Sequence, residues 1–241
     1  MLTVAGNPRV LLFDIETTDL DADFGNMIAF GYRWLGEKKA HVLSLLDFAE
    51  VCKSCRRVDA VDDRPLVRAA RTILSQADMW ITWYGKLFDH RYLNTRGIDA
   101  RFPPLPPIAH VDLYWTARSH LKLSSNRLAS VQDFLRLKTK KTAVSKRMWR
   151  RAQAGHVPSI HYVVRHCAHD VNCLGEAYMI LRPFVRQHPR LNQGTGCRVC
   201  GATQLIKQGV RVTVMKGPQI RLQCRTCGHW EQRTALKGEV A

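Results

Sequence analysis

The stretch Arg9-Val-Leu-Leu-Phe-Asp-Ile-Glu16 decides the fold, because its almost continuous apolar run is typical of a central β-strand buried on both faces. Two further strands are predicted over residues 27–34 and 39–45, and the Gly36-Glu-Lys38 turn between them indicates a hairpin. The remaining pattern predicts helices over residues 66–76 and 86–96, strands over 79–83 and 108–112, and helices from 113 to 185. This order predicts an α/β domain with a mixed sheet.

The length of 241 residues suits one ordinary domain followed by a small module. Pro189, Gly194 and Gly196 interrupt the patterns near the C-terminal end of the helical region, which is typical of a linker. We therefore expect a main domain over residues 1–185, a linker over 186–196, and a cysteine-containing module with its tail over 197–241.

The charge of the chain is strongly positive, at +17, and is concentrated in two blocks. Residues 117–151 hold eleven basic side chains against Asp133 alone, and residues 186–237 hold ten against Glu231 alone. Such blocks are typical of proteins that bind a polyphosphate chain, so nucleic acid is the expected partner. A solvated basic face is the alternative for either block.

A membrane is not an expected partner. Neither basic block has the long amphipathic stripe that binding to a lipid surface needs, and no apolar run approaches the roughly 20 residues that cross a bilayer. The first eight residues also lack the charged and apolar regions of a secretory signal. We therefore expect a cytoplasmic protein.

Four of the eight cysteines form two Cys-x-x-Cys pairs near the C-terminus, and each pair is followed by glycine. They are Cys197, Cys200, Cys224 and Cys227. This spacing lets both thiolates of a tight turn bind one ion, so it predicts a zinc ribbon with one structural Zn²⁺. Strand patterns over residues 205–214 and 219–223 fit such a ribbon. Disulfides are the alternative, but nothing in the sequence indicates an oxidising compartment.

The other cysteines have different patterns. Cys52 and Cys55 form a lone Cys-x-x-Cys pair, for which a loop at the solvent edge is the favoured interpretation and a metal or redox role the alternative. Cys167 and Cys173 lie in an apolar helical pattern, so we expect them to be buried.

Asp14 and Glu16 are two residues apart on the predicted central strand, so both side chains project from one face. Two carboxylates at the end of a buried strand cost free energy unless a cation neutralises them, and an all-oxygen site suits Mg²⁺ or Mn²⁺. Asp89 is predicted at the start of a helix, and His166 and Asp170 lie four residues apart on one helix face. A strand-end pair facing solvent is the alternative for Asp14 and Glu16.

Three segments together resemble the motifs of the DnaQ-like, or DEDD, 3′–5′ exonucleases, a family with a ribonuclease H-like fold. Phe13-Asp-Ile-Glu-Thr-Thr-Asp-Leu20 resembles motif I, Gly85-Lys-Leu-Phe-Asp89 resembles motif II, and His166-Cys-Ala-His-Asp-Val171 resembles motif III. The resemblance covers roughly residues 8–185 and is greatest to predicted exonucleases of phages and bacteria. It therefore implies the cytoplasm of a bacterial host.

The resemblance also implies roles for individual residues. Two Mg²⁺ or Mn²⁺ ions would be held by Asp14, Glu16, Asp89 and Asp170. Contacts with the terminal nucleotide would come from Thr17, Thr18 and Leu20, and the Leu20 side chain would wedge against the base.

Two positions depart from the family pattern. Tyr84 stands where the family usually has an Asn, and Arg165 stands five residues before Asp170, where one common variant has His. His166 has the spacing at which the other variant has Tyr. We therefore interpret His166, rather than His169, as the base that accepts a proton from the attacking water.

The basic block between motifs II and III is expected to follow the backbone of a bound strand. Its predicted substrate-binding residues are Lys140, Lys141, Arg150 and Arg151. Phe134 and Trp149 are candidate stacking partners for bases, although core packing is the favoured interpretation for both. For Asp112 we expect a structural or substrate-ordering role rather than metal binding.

These features predict a metal-dependent 3′–5′ exonuclease that hydrolyses phosphodiester bonds to 5′-nucleotides by a two-metal mechanism. DNA is expected ahead of RNA as the substrate, in a replication, repair or defence assembly. The first alternative is a structure-directed endonuclease on the same fold. The second is a non-catalytic nucleic-acid-binding module, which the presence of all four carboxylates disfavours.

Overall fold

The apolar stretch at residues 9–16 forms the middle strand of a five-stranded sheet in the computed structural model, which describes residues 8–58, 62–139, 142–190 and 196–235. The strands are β1 (Val10–Thr17), β2 (Met27–Trp34), β3 (His41–Ser44), β4 (Val51–Cys52), β5 (Arg57–Val58), β6 (Met79–Thr82), β7 (Ala109–Asp112), β8 (Leu205–Thr213), β9 (Gly217–Cys224) and β10 (Trp230–Thr234). The helices are α1 (Arg64–Leu74), α2 (Asp89–Asp99), α3 (Leu113–His120), α4 (Leu128–Phe134), α5 (Lys146–Gln153) and α6 (Val157–Leu181).

The five-stranded sheet has the order β3-β2-β1-β6-β7. β1 pairs with β2, and β2 with β3, in antiparallel orientation, whereas β6 runs parallel to both β1 and β7. The predicted α/β fold with a mixed sheet is therefore confirmed. Because β1, β6 and β7 are parallel, their carboxyl ends lie along the same edge of the sheet.

The alternation of side chains along β1 divides the core from the polar face. Leu11, Phe13 and Ile15 are buried in a cluster that includes residues of α1 and α2. Asp14 and Glu16 project from the other face, where Cys167 of α6 packs. The strand is thus apolar toward one helical layer and carries its carboxylates toward the other.

The helix predicted over residues 86–96 begins and ends later than expected. Its start is delayed because Asp112 accepts hydrogen bonds from the backbone amides of Tyr84 and Lys86, so the chain enters the helix only at Asp89. Gly97 does not end the helix. A Cβ at Gly97 would lie 2.6 Å from the Arg71 guanidinium, so the missing side chain makes room for that group inside the helical layer.

Where the structure describes it, the region predicted as helical from 113 to 185 is divided into four separate α-helices, α3 to α6, and a short 3₁₀ helix at Arg182–Phe184. The short strands β4 and β5 were not predicted. They form a hairpin in which Cys52 ends β4 and Cys55 lies in the turn, and both residues are exposed. Cys167 and Cys173 are both buried, as their helical pattern predicted.

The chain divides into two compact units, one of residues 9–179 and one that includes residues 180–235. In the second unit β8, β9 and β10 form an antiparallel sheet. The turn between β8 and β9 spans residues 214–216. β9 begins at Gly217, two residues before the start of the predicted strand. The third strand, β10, was not predicted. Residues 186–190 of the predicted linker have no helix or strand, and its residues 191–195 lie outside the described part of the chain.

The helices of the described residues include none with the length and apolar character needed to span a membrane.

Candidate active site

The carboxylates of motif I lie on β1, against the long helix α6. Ligand atoms of Asp14, Glu16 and the Cys167 thiol lie within 4.8 Å of one another, and a second group of the same compactness joins Glu16 to His166 and Asp170. The two groups share Glu16, so they form one continuous cluster. Residues from the two ends of the main unit thus meet where β1 ends.

His166 lies close to both Glu16 and Asp170 in the second of these groups. Its Nε2 atom is 3.7 Å from Glu16 Oε1 and 3.9 Å from Asp170 Oδ2. Its other ring nitrogen, Nδ1, is 2.8 Å from the Thr142 hydroxyl oxygen, at hydrogen-bonding distance. Thr142 therefore fixes the ring so that Nε2 faces the carboxylates. His169 lies three residues further along α6. It is half-buried and belongs to neither carboxylate group.

Asp89 is connected to the cluster through the backbone. Its Oδ1 accepts a hydrogen bond of 3.0 Å from the amide of Ile15, the residue between Asp14 and Glu16. Among the described residues, Asp89 is not a member of a three-ligand group. Burial raises the pKa of Asp89 to about 7, although hydrogen bonds from backbone amides oppose this change.

Gly31 of β2 lets α6 approach the strand that carries the carboxylates. It pairs with Asp14 across the two strands. A Cβ at Gly31 would lie 2.6 Å from Cys167 Sγ and 3.0 Å from Val171 Cγ2. Burial, together with the neighbouring carboxylates, raises the pKa of the Cys167 thiol. The protonated thiol packs between Gly31 and the carboxylates of β1.

Asp112 organises the turn that precedes motif II. It is buried, and besides the Tyr84 and Lys86 amides it accepts a hydrogen bond of 3.1 Å from the Tyr114 amide at the start of α3. Burial raises the pKa of this carboxyl, whereas the three amides lower it. These bonds give Asp112 a structural role, in agreement with the expectation for this residue.

An open pocket of about 320 Å³ lies beside Glu16. Its lining includes Thr17, Thr18, Leu20, Phe88 and Trp149. The three motif I residues predicted to touch a terminal nucleotide are therefore brought together at one pocket, and the Leu20 side chain is 78% exposed there.

The hydroxyl groups of Thr17 and Thr18 also form hydrogen bonds within the loop that follows β1. The Thr17 hydroxyl donates a hydrogen bond of 2.7 Å to the Asp19 carbonyl, and the Thr18 hydroxyl accepts one of 2.7 Å from the Asn26 amide. Gln153 of α5 donates to the Thr18 carbonyl. The loop after β1 is thereby joined to the helix of the basic block.

The basic residues predicted to bind substrate have different outcomes. Arg150 and Arg151 are exposed on α5, which also carries Trp149 of the pocket. Lys140 and Lys141 lie outside the described residues.

Trp149 is half-buried and packs on a hydrophobic cluster, as favoured. The favoured core position of Phe134 is wrong: its ring is 56% exposed, because α4 presents it to solvent at the helix end.

The four C-terminal cysteines form a compact cluster. Cys197, Cys200, Cys224 and Cys227 have thiols within 4.8 Å of one another. The Sγ atoms of Cys197 and Cys227 are 3.7 Å apart, and those of Cys200 and Cys224 are 3.6 Å apart. No disulfide bond joins these four described residues. A set of four sulfurs with this compactness is compatible with one tetrahedral Zn²⁺ in a zinc ribbon.

Thr142, Gly31 and Gln153 were not predicted as parts of the site. Thr142 lies in a non-helical segment 24 residues before His166, and no local periodicity connects the two. The role of Gly31 could have been inferred from the sequence, because it lies inside a strand pattern. A glycine in that position often marks the close approach of another segment.

A family model of the RNase_H superfamily matches residues 11–176, which is well over half of the chain. The chain belongs to the RNase_H superfamily. The match begins in β1 and ends in α6, so it contains all the clustered residues of the main unit. The C-terminal module lies beyond it.

The fold is also similar to a solved structure, the family B DNA polymerase from the hyperthermophilic archaeon Pyrobaculum calidifontis. The TM-score is 0.54 at 16% sequence identity, over 76% of this chain and 26% of the polymerase chain. This superfamily member thus spans about a quarter of the polymerase's length. No curated protein matches the sequence significantly.

The donor set of the main unit fits the divalent cations that nucleases of this superfamily use. Glu16, Asp89 and Asp170 are all buried, and their oxygen atoms are the ligands that hard cations such as Mg²⁺ prefer. Burying several carboxylates together costs free energy unless positive charge compensates it. Burial also raises the pKa of the Asp89 carboxyl. A bound cation would offset the cost of burying these carboxylates.

Proposed function

We propose that this chain is a metal-dependent 3′–5′ exonuclease that hydrolyses phosphodiester bonds of DNA to 5′-nucleotides. The observation that carries the proposal is the cluster of Asp14, Glu16, His166 and Asp170 beside an open pocket that the motif I loop lines. Membership of the RNase_H superfamily supports a nuclease of this fold. The positive charge of residues 117–151 supports a nucleic-acid substrate.

Asp14, Glu16, Asp89 and Asp170 would hold two Mg²⁺ or Mn²⁺ ions. Bound there, the cations would lower the pKa of the attacking water and neutralise charge on the phosphate. His166 would accept the proton of that water at Nε2. A hydrogen bond donated by Nδ1–H to the Thr142 hydroxyl would keep the lone pair on Nε2, the nitrogen that faces the carboxylates.

The terminal nucleotide would occupy the pocket beside Glu16. Leu20 and Trp149 would contact its base, and the exposed Arg150 and Arg151 of α5 would contact phosphates. In this arrangement the scissile phosphate would lie at the carboxylate cluster, which adjoins the pocket at Glu16. The resemblance of the three motifs to those of 3′–5′ exonucleases is the reason for placing an exonuclease ahead of an endonuclease.

The test uses 5′-labelled single-stranded DNA, RNA and duplex DNA, each with Mg²⁺ or Mn²⁺. Stepwise shortening of the labelled strand is the expected result on DNA. Immediate release of a labelled mononucleotide would indicate the opposite direction, and one discrete internal band would indicate an endonuclease. Absence of cleavage on every substrate would contradict the proposal.

Matched variants show whether the cleavage belongs to this site. Asp14→Ala and Asp170→Ala should abolish it, whereas Asp23→Ala, a change at an exposed carboxylate on the loop after β1, should leave it intact. Full activity of Asp14→Ala or Asp170→Ala would remove that residue from the site.

A further inference from the structure

Three aromatic residues form an exposed cluster near motif II, which we call the aromatic platform: Tyr84, Tyr114 and Trp115. The Tyr84 and Tyr114 ring centroids are 4.8 Å apart, and those of Tyr114 and Trp115 are 5.1 Å apart, both in edge-to-face geometry. Tyr84 is 41% and Trp115 is 40% exposed. Large rings that hold one another in fixed orientations while facing solvent are available to stack with a ligand.

The backbone holds Tyr84 in an unfavourable conformation. Its φ angle is +67°, in the left-handed region that a bulky residue seldom occupies. One oxygen of Asp112 stabilises this arrangement, because it accepts hydrogen bonds from both the Tyr84 amide at 2.8 Å and the Tyr114 amide at 3.1 Å. A single buried carboxylate thus positions two rings of the platform.

The platform lies on the same edge of the sheet as the carboxylates. Tyr84 follows β6 and Tyr114 follows β7, and both strands run in the same direction as β1. Neighbouring strands are about 4.8 Å apart. The platform is therefore one to two strand spacings along the edge from the end of β1, where Asp14 and Glu16 lie.

The charge around the platform favours a polyanionic ligand. The Arg118 guanidinium lies 5.6 Å from the Trp115 ring centroid and donates a hydrogen bond of 3.1 Å to the Tyr114 hydroxyl. Arg118 is also the first charged residue of the strongly basic segment 117–151. Aromatic rings interleaved with guanidinium groups suit a chain of bases and phosphates.

We propose that the aromatic platform binds an unpaired nucleobase of the substrate strand, upstream of the nucleotide in the pocket. The inference rests on the proposed function, since it names a second contact for the same strand. Stacking on these rings is independent of base identity, because every base presents a π-face. The platform would therefore hold single-stranded ends of any sequence.

The test measures binding of single-stranded oligonucleotides without added Mg²⁺ or Mn²⁺, so that cleavage does not compete. Trp115→Ala should weaken binding by about 5- to 150-fold, the range for losing one stacked base. Tyr84→Asn should also weaken binding. Because Asn tolerates a positive φ, this variant removes the ring while relieving the backbone, so thermal stability should stay the same or rise. The control is Phe48→Ala, which removes a ring of similar exposure, 42%, beyond the edge strand β3.

An abasic site moved along the strand separates stacking from a folding effect. At one position the abasic strand should bind wild type more weakly and should no longer distinguish wild type from Trp115→Ala. If Trp115→Ala weakens binding equally for every position of the abasic site, or does not weaken binding at all, the proposed role of the platform is wrong. The proposal would also be wrong if Trp115→Ala and Tyr84→Asn reduced binding of a proline-rich peptide but left the affinity for oligonucleotides unchanged. Wild-type protein that neither binds nor cleaves nucleic acid would contradict the proposed function itself, and only then do both fail together.

Discussion

His166 and His169 lie three positions apart on one helix, and among the described residues only His166 belongs to a carboxylate group. The spacing of four residues places His166 on the face of Asp170, and the structure brings its Nε2 atom to 3.7 Å from Glu16 as well. His169 directly precedes Asp170, so the two positions are roughly 100° apart around α6. We therefore propose His166, rather than His169, as the base.

We expect His166→Ala to lower kcat by about 10²- to 10⁴-fold, the usual effect of losing a general base. Substrate affinity should change little, because this side chain acts on the water. The measurement is single-turnover cleavage beside oligonucleotide binding. His169→Ala is the matched control on the same helix and should keep near-normal activity. The reverse pattern, with His169→Ala inactive and His166→Ala normal, would contradict the assignment.

Asp89 should make stability depend on pH when no Mg²⁺ or Mn²⁺ is added. Its folded-state pKa is raised to about 7 by burial, above the usual value of 3.8. Between these pH values the folded state binds the proton more strongly than the unfolded state. The contribution of Asp89 to the free energy of unfolding is therefore fully present below about pH 4 and is lost as pH rises through 7.

The comparison is with Asp89→Asn, which keeps an oxygen to accept the Ile15 amide but does not ionise. Urea unfolding from pH 5 to 8 measures the free energy of unfolding of both proteins. As pH rises, the value for the variant should increase relative to wild type by on the order of a few kcal/mol, the free energy that corresponds to the pKa shift. Added Mg²⁺ should reduce the difference. Parallel curves for the two proteins would contradict the prediction.

At the scale of elements, the distance between β2 and α6 controls the site. Gly31 and Cys167 touch at the point where α6 passes the strand pair, three residues before Asp170. Any side chain on β2 there would push α6 outward. Since His166 and Asp170 are both on α6, such a shift would separate them from Glu16 on β1.

We expect Gly31→Ala to destabilise the fold by about 1–3 kcal/mol, the usual cost of overpacking, and to lower kcat as well. The double variant Gly31→Ala with Cys167→Ala removes the clashing Sγ atom and should recover part of both. Thermal unfolding and cleavage rates provide the two readouts. If the single variant is as stable and active as wild type, the contact does not control helix position.

At the scale of the whole molecule, the C-terminal module has a small core made mainly of its cysteines and Val199. Metal binding of this kind supplies about 10–16 kcal/mol of apparent folding free energy at neutral pH, so Zn²⁺ would stabilise the module. Its surface is strongly positive, with Arg198, Lys207, Arg211, Lys216, Arg221, Arg225 and Arg233. We infer that it anchors nucleic acid, with protein docking as the alternative.

Truncation after Val185 should keep metal-dependent hydrolysis of short substrates, because the clustered carboxylates belong to the unit of residues 9–179. Affinity for long strands should fall. The slope of log affinity against log salt should decrease by about 0.7–0.9 for each lost phosphate contact. Titrations at several salt concentrations measure both. Unchanged affinity and slope would favour the docking role.

The sequence alone determined the features that depend on spacing within one element. A period of two placed Asp14 and Glu16 on one strand face, a period near 3.6 placed His166 with Asp170, and the Cys-x-x-Cys turns predicted the cluster of four thiols. These relations hold because each element has a fixed repeat. The central strand was predicted in the same way, from its apolar run.

Only the tertiary structure decided which elements meet. The Thr142–His166 bond, the Gly31–Cys167 contact, the Asp112 bonds to the turn before motif II and the aromatic platform all join residues from different elements. Such contacts depend on how helices pack on the sheet, and no local repeat encodes that packing. The late start of α2 has the same cause, because Asp112, distant in the chain, accepts hydrogen bonds from the amides of Tyr84 and Lys86. The close approach of the Arg71 guanidinium to Gly97 inside α2 is another contact between distant residues.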